Sequence, residues 1–136
     1  MKPAAVFTLT GVAILSGCAA PFRAPPDVAH IQLSRTNDST TVMVSKIWLE
    51  RKRGALLVRG YVVKRLSVTD TTGTHLDVTL FDASDKELRS TVEHFLPRQI
   101  PRLYRRPDYS SYNISLDPLP ATTARIDVRA HEGNHS

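Results

Sequence analysis

The chain has 136 residues, 18 of them basic (thirteen Arg) and 13 acidic, for a net charge of +5. That length leaves room for one domain plus a linker, with a modest core. The single cysteine excludes an intramolecular disulfide, so packing alone must hold the fold. The mild positive balance suits anionic neighbours, either lipid headgroups or an acidic partner protein, rather than nucleic acid.

Residues 1–17 have the three parts of a secretory signal. Lys2 is the charged start, Val6 to Leu15 is a short apolar run, and Ser16-Gly17 are small residues before a cut. The apolar run is too short to anchor the chain as a bilayer-spanning helix. Leu15-Ser16-Gly17-Cys18 resembles the lipobox of bacterial lipoproteins. The resemblance implies that Cys18 is alkylated on sulfur by a diacylglyceryl group, that the chain is cut before Cys18, and that the new amine is acylated. Two or three chains, at roughly 0.8 kcal/mol per buried CH₂, would hold a small domain at a membrane essentially permanently. Ala19 stands where an Asp would signal inner-membrane retention in many enteric bacteria. By the same resemblance the expected location is the outer membrane, facing the periplasm.

Residues 18–40 are expected to be a flexible linker. Ala19 to Pro26 is rich in Pro and Ala, and Asn37 to Thr41 is polar and turn-like. Ala29 to Leu33 is a candidate short edge strand. The domain proper is expected over 41–131, with 132–136 as a tail. Val42 to Leu49 reads as a strand whose alternation slips at Ser45-Lys46, the mark of a bulge. Trp48, the largest apolar side chain, is the expected core centre. Arg51-Lys52-Arg53-Gly54 predicts a hairpin turn. Leu56, Val58, Gly60 and Val62 share the inner face of the next strand, with Arg59, Tyr61 and Val63 outside. Gly60 is expected opposite a bulky side chain such as Trp48.

His75 to Phe81 alternates cleanly, with Leu76, Val78 and Leu80 inward. Leu88 to Leu96 makes a weaker strand, and three prolines leave Pro97 to Pro107 irregular. Tyr112, Ile114 and Leu116 form one face of a strand, and Ile126, Val128 and Ala130 one face of the last. About seven strands without a helix predict an all-β, antiparallel immunoglobulin-like β-sandwich.

Val78-Thr79-Leu80-Phe81-Asp82 is similar to the F-x-L-Y-D signature of a family of small immunoglobulin-like bacterial domains often carried on lipoproteins. Arg125-Ile126-Asp127-Val128 fits the trailing part of that pattern. The resemblance spans roughly residues 42–131 and brings no catalytic residues with it.

Three constellations invite a chemical reading. His131-Glu132-Gly133-Asn134-His135 spells H-E-x-x-H, which binds zinc only on a helix, and Gly133 and Asn134 are poor helix formers. A metal-dependent hydrolase is therefore the weakest of the readings considered. His75 and Asp77 fall on one outward face and are expected to be a surface ion pair. Arg98, Arg102, Tyr104, Arg105 and Arg106 lie in an acid-free stretch, and Arg forks grip carboxylate and phosphate bidentately. That stretch is the expected contact site, for lipid phosphates or for an acidic partner. No cofactor, metal or catalytic residue is expected. The leading expectation is a non-enzymatic adaptor or protein-binding module of the cell envelope. The alternative is a lipid- or glycan-binding sandwich using the face around Phe81 and Tyr61.

Overall fold

In the computed structural model, which describes residues 23–102 and 108–133, the turn at Arg53-Gly54 organises one half of the molecule. Both residues have positive φ, 52° and 81°, which is the backbone of a two-residue hairpin whose twist matches its strands. It joins β2 (Val42–Lys52) to β3 (Ala55–Lys64), and β3 pairs on its other side with β6 (Tyr109–Ser115). The second sheet holds β1 (Gln32–Asn37), β7 (Arg125–Glu132), β4 (Thr74–Phe81) and β5 (Glu87–Glu93), in that spatial order. The architecture is a seven-stranded all-β sandwich.

Apolar residues at every second position close the two sheets on each other. Leu56, Val58 and Val62 of β3 and Tyr112 and Ile114 of β6 face Leu76, Val78 and Leu80 of β4 and Ile126, Val128 and Ala130 of β7, all buried.

The expected linker is shorter than the sequence indicates. A 3-10 turn at Pro26–Val28 and strand β1 belong to the sandwich, and the domain begins near residue 26 rather than 41. Val28 and Ile31 are buried in the core, and the β1 backbone is satisfied by β7. Strand β1 runs parallel to β7, the one departure from antiparallel pairing among the described strands. Both strands start at the pole that holds the β2–β3 turn, so no reversal separates them.

The bulge at Ser45 is present: Val44 pairs with Val62, but Lys46 pairs with Tyr61. One extra residue inverts the side-chain phase of everything after it. Ile47 and Leu49 therefore turn inward, and Trp48 turns out. Trp48 is not the core centre. It is buried to 8% exposure on the outer face, against Tyr61 at 5.4 Å and beneath the Arg59 guanidinium at 5.9 Å. The neighbour above Gly60 is Tyr112, directly opposite it in register, whose hydroxyl donates to the Lys46 carbonyl at 2.6 Å. Burial pushes that phenol well above the usual tyrosine range.

The strand directions define two poles. The first carries the segment from Asp27 to Ile31, the β2–β3 turn, and the turns around Asp82–Lys86 and Asp117–Ala124. The second carries residues 38–41, the loop 65–73, the segment 94–102 and the end of β7.

Candidate functional site

The described part of the Arg-rich stretch is irregular, as its prolines require, but it is firmly held. Phe95 and Ile100 are buried in the core, and Leu96 makes a two-bond bridge to Ser111. Thr71, fully buried, is the pin. Its hydroxyl donates to the Arg98 carbonyl at 2.6 Å and accepts from the Ile100 amide at 2.9 Å. Gln99 closes the same contact by donating to the Thr69 carbonyl at 2.6 Å. The stretch is thereby clamped onto the loop 65–73 at the second pole.

Between the two segments runs a groove of about 550 Å³, walled by Arg65, Leu66, Gln99 and Arg102, with Lys64 and Asp108 at one side. Arg102 is exposed and enters no ion pair among the described residues. Arg98 donates to the Thr72 carbonyl at 2.8 Å, which spends one branch of its fork on the protein. Asp108 lies 3.9 Å from Lys64. Tyr104, Arg105 and Arg106 lie outside the described residues. Leu66 stands 95% exposed beside the groove. Sequence reading passed over it, although a lone leucine between Arg65 and Ser67 in a polar loop was the available signal.

The turn residues Arg51 to Arg53 form a further basic cluster, which does not adjoin this groove. It occupies the other pole, separated from it by ten-residue strand β3, roughly 33 Å at 3.3 Å per residue.

His131 and Glu132 of the H-E-x-x-H stretch end strand β7, and Gly133 has a φ of 103°, so these residues lack the helical geometry that the zinc motif needs. Asn134 and His135 lie outside the described residues. Glu132 has a different task. It accepts from the Ser39 hydroxyl at 2.7 Å, from the Thr40 and Thr41 amides at 2.7 and 2.9 Å, and from the Thr40 hydroxyl. These bonds, the Ser39 hydroxyl foremost, hold its carboxyl down to about 2 and tie the β1–β2 connection to β7. A folded pKa below the unfolded value makes this contribution complete above about pH 4.5 and removes it as pH falls towards 2. Glu132→Gln is accordingly expected to cost about 1 kcal/mol at neutral pH, the group being largely solvent-screened. The gap between the two proteins should close between pH 4.5 and 2, as read by chemical denaturation across that range. A pH-independent gap would sink this assignment.

His75 and Asp77 do share a face, with Nε2 3.5 Å from Oδ1, but His75 is only 6% exposed. Strand β4 is interior to its sheet, and the directly paired His131 lies over the ring at 5.3 Å. The expected solvated surface pair is therefore a covered one. Among the described residues, no three His, Cys, Asp or Glu side chains form a metal-binding group.

Phe81 and Tyr61 belong to different sheets and point out of opposite faces, so they cannot line one ligand surface. Phe81 is capped by the Arg125 guanidinium at 4.1 Å. Asp82 accepts from the Ser84 amide and hydroxyl and from the Lys86 amide, each at 2.9 Å, which lowers its pKa and shapes the β4–β5 turn. The Val78–Asp82 signature thus encodes a strand end and its turn. No helix among the described residues is long and apolar enough to cross a membrane. No family model, curated protein or solved structure matches the chain.

Proposed function

We propose that the protein is an outer-membrane lipoprotein facing the periplasm. It is anchored through acyl chains on Cys18 and acts as a non-enzymatic adaptor that presents its Arg-lined pole to an acidic envelope protein. The observation that carries this reading is the separation of the two ends. Asp27, paired with Arg51, enters the domain at the first pole, and Cys18 is nine residues before it, at most about 32 Å of fully extended chain. Arg98 and Arg102 lie at the second pole, the length of β3 away. An anchor at one end leaves the Arg-lined groove and Leu66 directed away from the anchoring bilayer, where a protein partner is the available anion. This geometry favours the acidic partner over lipid phosphates for that stretch.

The strand order supports an immunoglobulin-like reading. Strands β2, β3 and β6 adjoin as A, B and E do, and β4 and β7 as C and F. Strand β1 takes the flank of the closing strand, though in parallel. Membership in the F-x-L-Y-D family rests on the short signature alone.

A photocrosslinking residue in place of Leu66 in intact cells is expected to give a discrete adduct with one envelope protein. Changing Arg102, Arg105 and Arg106 to Ala should weaken that capture about tenfold, or about 1.4 kcal/mol. The melting temperature of the triple variant should hold. Undiminished capture by the triple variant would remove this stretch as the contact site.

A further inference from the structure

A second groove, of about 990 Å³, runs from the first pole along the outer face of β2 and β3, beside the segment Arg23–Ala29. Pro25 and Pro26 form one wall, and Trp48, Arg59 and Tyr61 the other. We propose that the first pole rests on anionic phospholipid headgroups, with Lys52 and Arg53 at its tip and Arg23 at the groove's edge meeting lipid phosphates, and with Trp48 in the groove that leads up from the contact. The inference rests on the Cys18 anchor, since the anchor keeps this pole within reach of the bilayer surface.

Charge points the same way. The acids nearest the groove are already engaged: Asp27 with Arg51 at 2.5 Å, and Glu50 with Arg59. Arg23, Lys52 and Arg53 are exposed and make no ion pair or hydrogen bond among the described residues. Of the other carboxylates described at this pole, three are held elsewhere, and Glu87 stands exposed at the start of β5, on the far sheet from the groove. Asp117 accepts from the Leu56 amide, Asp82 is turned into its own loop, and Asp85 faces Arg125. Each cation near an anionic surface adds attraction that salt screens beyond a Debye length.

Trp48 is the only tryptophan in the chain, so its emission reports on this groove alone. The test uses the mature acylated protein with phosphatidylcholine vesicles and with vesicles containing phosphatidylglycerol, each bearing a headgroup spin label. Trp48 quenching is expected to be at least about twofold stronger on the anionic vesicles, to fall at high salt, and to drop to the phosphatidylcholine level in Arg23→Ala/Lys52→Ala/Arg53→Ala. Equal quenching on both vesicles, or an unaffected triple variant, overturns the proposal. So does a response of Trp48 to inorganic phosphate alone, because the ligand would then be a free anion. Flotation with phosphatidylcholine vesicles reads the acyl anchor separately. A chain that fails to float there strikes the anchor, while quenching on anionic vesicles still decides the headgroup contact.

Discussion

Gly60→Ala is expected to cost about 3 kcal/mol or more, because overpacking against backbone cannot relax as it does against a flexible side chain. A Cβ at this position would overlap both the Lys46 carbonyl oxygen and the Tyr112 phenol. The two atoms are hydrogen-bonded to each other across the glycine. Against a typical domain stability of roughly 5–15 kcal/mol, this is a large fraction and should appear in the soluble yield and in the denaturation midpoint. Tyr112→Phe removes the hydroxyl but keeps Cζ, which the Cβ would also overlap, so Gly60→Ala/Tyr112→Phe should remain destabilised by the ring and by the fixed Lys46 carbonyl. Restoration by that double variant would show that the hydroxyl alone enforces glycine. Positions 54 and 133 have open space where a Cβ would stand, so their constraint is the backbone angle and not a clash.

Cys18→Ser is expected to remove the mature protein from the membrane fraction altogether and to leave residues 1–17 attached, since the lipobox cut follows alkylation of the thiol. The native protein offers a sharper reading still. Cys18 is the only cysteine, so thiol labelling of the denatured native chain measures that one sulfur. The expected result is no labelling, together with an N-terminal peptide whose mass carries the acyl groups. A free thiol in material isolated from cells would end the anchor reading. The energetic margin is wide: at roughly 0.8 kcal/mol per CH₂, two acyl chains exceed anything a headgroup contact supplies. Loss of the anchor should therefore not be compensated by Arg23, Lys52 and Arg53.

The strands themselves were legible because half-buried strands repeat every two residues. Leu76, Val78 and Leu80, or Ile126, Val128 and Ala130, can be read as inner faces without any partner in view. The hairpin at Arg53-Gly54 was legible for a similar reason, since turn chemistry is local. The consequence of the Ser45 bulge was harder to read. The slip in alternation was visible, but which side of it faces the core depends on the register with β3. That register sends Leu49 inward and Trp48 out. The Arg-rich stretch was legible as composition, whereas Leu66 joined it only through Thr71, whose bonds to Arg98 and Ile100 span more than twenty residues of chain.

Residues 1–18 owe their reading wholly to order along the chain, because a signal and a lipobox are recognised as linear text. The sandwich class is likewise carried by periodicity and turn residues, which act over a few positions. Tertiary structure decided what depends on distant partners. It drew β1 out of the expected linker by giving its backbone β7 to bond with, and it covered His75 with His131. It also set Arg51–Arg53 and Arg98–Arg102 at opposite poles. Spacing along a chain says nothing about the direction in which two strands run past each other, and that direction is what turns two similar basic stretches into two different surfaces.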